Sequence, residues 1–258
     1  MKVLAYYTVG LDEKYCEVVK LSIMSLRLFN PTYDIIVLCD DILLSKCSEM
    51  LGTFENVTLS PVSVSITPQE ASAHKLDVFS YEGVMKYDKI VYIDSDIVIH
   101  RRLDEQLNKV NDGNKLYCFC DRSEVKYHSH PYWSHEGVYS KETLEMFEEK
   151  KIGVFCAGFF AFVPSITMKE HFSAIKEQMH AHIGEYFYEQ SHMNVYFNPK
   201  QMIDVSVFTP DVFQQGKDDN DNSSNKGKIV HFCGCHPGVT KLKLMTNYIR
   251  SNIPELLI

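Results

Sequence analysis

The sequence predicts an α/β protein in which helices flank a mostly parallel sheet, and three observations support this fold class. Strand-like and helix-like patterns alternate through residues 1–100, which is typical of a doubly wound sheet. The run "KIVYI", Lys89–Ile93, is apolar almost throughout, as expected of a central parallel strand that is covered on both faces. A chain of 258 residues that is 45% hydrophobic can also bury a substantial core.

Each element of residues 1–100 follows from a local pattern. The first helix begins at Asp12 or Glu13 and ends before Pro31, because apolar residues recur at helical spacing between these points. The strands of this part are predicted at Val3–Thr8, Asp34–Cys39, Val57–Val62 and Lys89–Ile93. Two further helices are predicted at Ile42–Leu51 and Ala71–Lys86.

The remainder of the chain is less regular. Polar sequence at Arg122–Tyr139 and Gln214–Lys228 predicts two loops. Strands are predicted at Lys115–Cys120 and Lys228–Phe232, a buried strand or pair of strands at Gly153–Phe162, and helices at Ser165–His182, Glu189–Phe197 and Val239–Arg250. The sequence contains no evident repeat or linker, so we expect residues 1–258 to form a single domain.

The charge and the apolar runs exclude two classes of partner. A formal net charge of -8 is unfavourable for non-specific binding to nucleic acid, because phosphate neutralisation requires an excess of Lys and Arg. The longest apolar run, "GVFCAGFFAFVP", is about 12 residues, which is too short to span a membrane. No signal sequence is evident at the N-terminus, so we expect a cytoplasmic protein without a membrane span.

Two carboxylates follow the apolar run that ends at Ile93. Asp94 and Asp96 lie where a parallel sheet binds its ligands, beyond the carboxyl end of a strand. Residues i and i+2 of an extended chain face the same side, so the pair forms an oxygen site suited to Mg²⁺ or Mn²⁺. A D-x-D pattern is also expected by chance, and a second copy at Asp219 and Asp221 lies in a polar loop. Position after a buried strand distinguishes the first copy.

Five blocks of sequence, in this order along the chain, together resemble glycosyltransferase family 8, the glycogenin-like enzymes. They are "YCEVVKLSIMSL", "HKLDVFSYEGVMKYDKIVYIDSDIVI", "FCAGFFAFVPS", "YEQSHMNVYF" and "VHFCGCHPGVTKLKLM". The resemblance implies a GT-A type, Rossmann-like fold, a nucleotide-sugar donor and a divalent metal. It also implies that residues 1–100 form a nucleotide-binding half and that residues 101–258 complete the metal site and hold the acceptor.

The resemblance implies a third metal ligand beside the two aspartates. His231 in the last block matches the family's metal-binding histidine, and a carboxylate and imidazole set suits Mn²⁺ or Mg²⁺. A zinc site made by His231, Cys233, Cys235 and His236 is the alternative from the residues alone, although its spacing departs from common zinc modules.

The resemblance also implies a set of donor-binding residues. Lys75 matches the family's cation at the donor phosphate or sugar, and Tyr15 matches an aromatic residue that stacks on uracil. Glycogenin has a lysine shortly after this histidine, but the matching position here is Pro237. Gly238 and Lys241, which follow it, are therefore the candidates instead. The full donor-binding set is Tyr7, Thr8, Tyr15, Lys75, Asp94, Ser95, Gly158, Gly234, Gly238 and Lys241.

Two residues are implied at the transferred sugar. Gln190 and Glu189 match the Asp-Gln pair of the family, and they are the candidate catalytic residues. Because Glu is one methylene longer than Asp, we assign the pair to sugar positioning rather than firmly to nucleophilic attack. Cys156 replaces the usual Asn of the family, which puts the sugar specificity in doubt.

The sequence therefore predicts a metal-dependent retaining hexosyltransferase that uses a UDP-sugar, UDP-glucose or UDP-galactose, and a glycan or protein hydroxyl acceptor. Homodimerisation is left open. The alternatives are a degenerate transferase that binds a nucleotide-sugar or glycan without turnover, and a nucleotidyltransferase. The last would carry a basic, glycine-rich phosphate loop near the N-terminus, which "YYTVGLDEKY" does not resemble.

Overall fold

The fold is taken from a computed structural model of the chain. It describes residues 1–122, 141–149, 153–181, 189–216, 225–233 and 240–257.

The strands of the described residues form two sheets. In chain order they are β1 (Val3–Val9), β2 (Asp34–Asp40), β3 (Val57–Val62), β4 (Lys89–Ile93), β5 (Ile97–Ile99), β6 (Leu116–Arg122), β7 (Val154–Phe162), β8 (Ile203–Asp204), β9 (Phe213–Gln215) and β10 (Ile229–His231). The larger sheet has the order β3-β2-β1-β4-β7-β6-β8, and the smaller sheet has the order β5-β10-β9.

The larger sheet is mostly parallel, as the sequence predicts. Strands β3, β2, β1 and β4 run parallel to one another, and β7 is antiparallel to both β4 and β6. The apolar stretch around Gly153–Phe162 forms one long strand, and every residue of β7 is buried. The side of the sheet built from residues 1–100 is thus all parallel, whereas the other side, built from later in the chain, contains the one antiparallel strand among the described strands of this sheet, β7.

Helices flank both sheets, and the last of them packs against the first helix and β5. They are α1 (Lys14–Phe29), α2 (Leu44–Leu51), α3 (Pro68–Ala73), α4 (Asp104–Leu107), α5 (Lys141–Glu149), α6 (Ile166–Ala181), α7 (Glu189–Phe197) and α8 (Lys241–Asn252). The helix predicted at Glu189–Phe197 is confirmed at both ends. None of the helices that the structure describes combines the length and the apolar character needed to cross a bilayer.

The single helix predicted at Ala71–Lys86 is wrong. The helix α3 is followed instead by 3₁₀ turns at His74–Ser80 and Val84–Lys86. Contacts with distant residues accompany this change: the Tyr6 hydroxyl donates a hydrogen bond to the Lys75 carbonyl, 2.9 Å away, and a His74 ring nitrogen lies 2.9 Å from the Ser63 carbonyl. Apolar spacing alone cannot predict these interactions, because the partner residues, Tyr6 and Ser63, lie outside this segment.

Two layers of apolar side chains cover the faces of the larger sheet. One layer includes Val37, Cys39 and Cys156 beneath α1 and α2, and the other includes Tyr92, Cys118 and Phe160 beneath α6 and α7. The thiols of Cys39, Cys118 and Cys156 are buried in these layers.

The smaller sheet contains two strands that the sequence patterns did not predict. The strand β5 begins three residues after Asp94, and β9 occupies the start of the predicted loop Gln214–Lys228. Of the other predicted loop, residues 123–140 lie outside the described part of the chain. Because β5 follows the two aspartates directly, its pairing determines what lies beside them.

Candidate active site

Three side chains from two distant segments converge at the carboxyl end of β4. His231 Nε2 lies 3.2 Å from Asp96 Oδ1 and 3.6 Å from Asp94 Oδ2. Asp96 and His231 are buried, while the Asp94 side chain is 24% exposed, so the group is accessible from the Asp94 side. Within the described residues these three side chains are the group with mutual distances short enough to hold a metal ion.

Local backbone interactions place the two carboxylates. The Asp94 amide donates a hydrogen bond to the Gly158 carbonyl of β7, 2.8 Å away, which continues the β4–β7 pairing past the end of β4. The Ile97 amide then donates to the Asp94 carbonyl at 3.1 Å and closes a tight turn. This turn holds Asp94 and Asp96 between two strands, so neither carboxylate depends on a flexible loop.

The smaller sheet brings His231 to the aspartates. Strand β10 pairs antiparallel with β5, and His231 lies opposite Ile97, the residue after Asp96. The Phe232 amide donates to the Asp96 carbonyl at 3.0 Å and extends the pairing by one step. The third predicted ligand therefore reaches the site through strand pairing.

Gly158 keeps the space between the ligands open. A Cβ atom on Gly158 would lie 2.5 Å from His231 Cε1 and 2.7 Å from Asp94 Oδ2, which are closer than real side-chain contacts allow. Two carboxylate oxygens and one imidazole nitrogen are a donor set that Mg²⁺ and Mn²⁺ accept. The residues present thus fit a divalent cation.

The outer oxygen of each aspartate contacts a lysine. Asp96 Oδ2 accepts a hydrogen bond from Lys241 Nζ at 2.5 Å, and Asp94 Oδ1 lies 3.1 Å from Lys75 Nζ. Asp94 Oδ1 also accepts a hydrogen bond of 2.5 Å from the Tyr92 hydroxyl. Each carboxylate therefore turns one oxygen toward the common centre while a cation holds the other.

The electrostatics of this group keep its members charged. Burial alone would raise the pKa of Asp96, but His231 and Lys241 outweigh it and lower the pKa well below its usual range. Burial would lower the pKa of Lys241, but the Asp96 carboxylate raises it. The pKa of His231 is raised in the same way, since its neighbours Asp96 and Cys156 outweigh burial. In the absence of a metal ion these opposite charges compensate one another.

Lys75 links the aspartates to α7. Its ammonium group donates to Glu189 Oε1 and to the Ala157 carbonyl, the latter 3.4 Å away. Burial would lower the pKa of Lys75, but the Asp94 and Glu189 carboxylates raise it, so the side chain stays positively charged. Glu189 is itself buried, and in this structure its carboxylate is the counter-ion of Lys75.

Gln190 and Asn194 attach α7 to β7. The Ala157 amide donates to Gln190 Oε1 at 3.0 Å. Asn194 Oδ1 accepts from the Phe155 amide at 3.0 Å, and Asn194 Nδ2 donates to the Phe155 carbonyl at 3.1 Å. These bonds hold the Glu189–Gln190 end of α7 beside the strand that carries Gly158.

The predicted nucleotide-binding residues fall into two groups. The Thr8 hydroxyl lies 3.0 Å from the Tyr92 hydroxyl, and the Tyr15 ring centre lies 5.8 Å from Lys241 Nζ, so both border the site. Ser95 is buried in the turn between the aspartates. The Tyr7 side chain is different: it is fully buried in the core, and its hydroxyl accepts a hydrogen bond from Ser22. The side chain of Tyr7 is thus not brought to the site, which only its backbone could border.

Part of the prediction lies outside the described residues. Gly234 and Gly238 belong to residues 234–239, as do Cys235 and His236 of the alternative zinc site. Cys233 is described and is partly buried. Both glycine roles and the zinc alternative therefore stay predictions.

Three further residues at the site were missed as candidates. The sequence identifies Tyr92 only as part of an apolar strand, and Cys156 only as a departure from the family pattern. Asn194 is the last residue of the motif "EQSHMN", so the motif itself could have indicated Asn194 as a candidate. Nothing in the chain pattern around Tyr92 indicates that its hydroxyl holds Asp94.

Comparisons with known proteins bear on the family and the fold of this chain. The model of the family "Glycosyl transferase family 8" matches residues 8–238. No curated protein shows significant similarity to the sequence. Three solved structures share the fold, all at low identity. One is the bifunctional glycosyltransferase WbbM without ligand, with 18% identity and a TM-score of 0.62 over 100% of this chain and 51% of the WbbM chain. This chain thus spans about half of WbbM.

The other two are structures of the galactosyltransferase LgtC. One was solved with donor and acceptor sugar analogues, and it has 15% identity and a TM-score of 0.58 over 98% of this chain and 94% of that one. An active-site mutant of LgtC has 13% identity and a TM-score of 0.55, with 95% of each chain covered. With a family match over most of its length, the chain belongs to glycosyltransferase family 8 and is a glycosyltransferase.

Proposed function

We propose that this chain is a metal-dependent retaining glycosyltransferase that moves a hexose from UDP-glucose or UDP-galactose to a hydroxyl of a glycan or protein. The convergence of Asp94, Asp96 and His231 is the observation that carries the proposal. A divalent cation held by them would neutralise charge on the diphosphate and so favour its departure.

The side chains around the centre supply binding and orientation. Lys75 and Lys241 place two positive charges beside the aspartates, where they can attract a diphosphate. Tyr15 borders the same space, and its ring can stack on a base. The hydrogen bond from Ala157 occupies Gln190 Oε1, so Nε2 is the part of this amide that can donate to a sugar hydroxyl.

The position of Glu189 favours front-face attack over a covalent intermediate. Its carboxylate is buried and paired with Lys75, which lowers its reactivity as a nucleophile. In front-face attack the acceptor hydroxyl approaches from the side that UDP leaves, and a diphosphate oxygen takes the proton. The anomeric configuration is then retained without an enzyme-bound sugar.

The first experiment measures transfer or hydrolysis of UDP-glucose and UDP-galactose with Mn²⁺, Mg²⁺ or a chelator. We expect the chelator to abolish turnover and added metal to restore it. Asp96→Asn should lower kcat/KM by at least about 100-fold, because even partners of metal ligands are worth about 10- to 100-fold. The stereochemistry of the product, read by NMR, tests retention.

The matched control is Asp88→Asn. Asp88 precedes β4 as Asp94 follows it, but its side chain is 61% exposed and contacts the N-terminus. We expect turnover close to that of the unmodified protein. Full turnover by Asp96→Asn, or in the presence of the chelator, would contradict metal dependence. Tight UDP binding without release of any sugar would support the binding-protein alternative. A separate measurement, sedimentation of the same sample, would test for a homodimer.

A further inference from the structure

Cys156 lies against the face of His231 that points away from the aspartates. Its Sγ atom is 3.6 Å from His231 Nδ1, while His231 Nε2 is directed at Asp96 and Asp94. The two ring nitrogens of His231 thus have different neighbours, a sulfur on one side and carboxylates on the other. The cysteine is buried, so water does not compete freely for its contact with Nδ1.

A bulge in β7 places this sulfur. Along β6 the paired residue changes from Phe160 at Cys118 to Cys156 at Phe119, so residues 157–159 have no partner on β6. The Gly158 amide within this bulge donates to Cys156 Sγ at 3.4 Å. Bulges commonly redirect side chains next to active sites, and here the bulge directs both Cys156 and Gly158 at His231.

The chemistry of imidazole makes this contact consequential. A histidine that ligates a cation through Nε2 must carry its proton on Nδ1, and an acceptor beside Nδ1 stabilises that tautomer. Metal-bound histidines usually donate this N–H to a carboxylate, a carbonyl oxygen or water. Sulfur is a weaker acceptor, but it is the atom that the structure places beside Nδ1.

We propose that Cys156 is a positioning residue that accepts a hydrogen bond from His231 Nδ1 and so directs the Nε2 lone pair at the cation between Asp94 and Asp96. This inference rests on the proposed metal dependence and extends it to a residue that replaces the family's usual Asn.

The test measures Mn²⁺ affinity by calorimetry or electron paramagnetic resonance, without nucleotide. Cys156→Ala removes the acceptor, and we expect Mn²⁺ to bind about 10-fold more weakly. Cys156→Ser restores an acceptor of similar size, and it should bind Mn²⁺ within about 3-fold of the unmodified protein. Affinity for UDP without metal should not change in either variant. If Cys156→Ala fails to fold, Cys156→Val lacks the acceptor without leaving a cavity and should give the same weakening.

The matched control is Cys118→Ala. Cys118 is buried on the neighbouring strand β6 and belongs to the other core layer, so its loss removes the same atoms from the core without touching His231. We expect this control to lower thermal stability but to leave Mn²⁺ affinity unchanged. If Cys156 had only a structural role, Cys156→Ala and Cys118→Ala would both lower thermal stability and leave Mn²⁺ affinity unchanged.

A second readout follows the proton directly. At a Mg²⁺ concentration that does not saturate the site, long-range ¹H–¹⁵N spectra should report the metal-bound form of His231, with its proton on Nδ1 alone, for a larger fraction of the unmodified protein and of Cys156→Ser than of Cys156→Ala. Equal Mn²⁺ affinity in the unmodified protein and in Cys156→Ala would overturn the proposed role of Cys156 but not the proposed metal dependence. Absence of Mn²⁺ and Mg²⁺ binding in the unmodified protein would instead overturn the proposed metal dependence.

Discussion

Lys75 and Lys241 each hold the outer oxygen of one aspartate, but the regions around the two lysines differ. The Lys75 side chain is 8% exposed and contacts Asp94, Glu189 and the Ala157 carbonyl. The Lys241 side chain is 33% exposed, and the ion pair described for it is with Asp96 alone. Lys75 comes from a 3₁₀ turn packed beneath the sheet, whereas Lys241 is the first residue of α8.

This difference indicates two kinds of positive charge at one site. If Lys75 moved, the carboxylates of Asp94 and Glu189 would lose their cation. We therefore expect Lys75 to keep its position when ligands bind. If Lys241 moved, Asp96 would still contact His231. Because the Lys241 side chain is a third exposed, solvent could also stabilise part of the charge that the ion pair had compensated. Lys241 is therefore the cation that can turn from Asp96 toward a diphosphate.

The largest effect is expected for Lys75→Met. This change leaves the buried Glu189 and the partly buried Asp94 without their cation, and removing one partner of a buried ion pair costs about 3–5 kcal/mol. The free energy of unfolding, measured by urea denaturation, should fall by about that amount. Turnover should also be lost.

The control is the double variant Lys75→Met with Glu189→Gln. Removing both charges should recover about 1–2 kcal/mol of the loss, because the two residues are in direct contact. A midpoint for Lys75→Met equal to that of the unmodified protein would show that the lysine is not a fixed part of the site.

A smaller effect is expected for Glu189→Gln. Lys75 keeps Asp94, so we expect a loss of stability of about 1–3 kcal/mol, the range for one charge-assisted hydrogen bond. If Glu189 only positions the sugar, kcat should fall by about 100-fold, as for a small misplacement of reacting groups. A fall of about 10⁴-fold or more, as for a lost nucleophile, would contradict the positioning role.

The smallest effect on stability is expected for Lys241→Met. Because the side chain is a third exposed, solvent screening limits the ion pair, and the loss should be at most about 1 kcal/mol. The KM for the UDP-sugar should rise by about 10-fold, the equivalent of one contact worth about 1.4 kcal/mol. Lys241→Arg keeps the charge and should recover most of this loss. An unchanged KM in Lys241→Met would remove the distinction between the two lysines.

Much of the fold of residues 1–100 was predictable from the sequence. The strands at Val57–Val62 and Lys89–Ile93 have the predicted bounds, and in the second of them a run of apolar residues reports burial directly. Asp94 and Asp96 were also predictable as a pair, since their position depends only on the end of one strand. The same local evidence did not show which face of a strand meets the site.

Tyr7 illustrates that limit. The strand β1 is buried along most of its length on both faces, so its sequence "VLAYYTV" has no alternation that would assign Tyr7 to the core and Thr8 to the site. The structure makes the assignment, because α1 covers the face that carries Tyr7.

By itself the sequence determined the class of the sheet, the position of the two carboxylates and the family blocks that predict a third ligand. The tertiary structure alone decided that His231 lies opposite Ile97, that Lys75 pairs with a glutamate 114 residues away, and that Cys156 faces an imidazole nitrogen. The physical reason is that apolar periodicity records whether a residue is buried. Which partner it meets depends on strand pairing and a bulge, which bring together segments far apart in the chain.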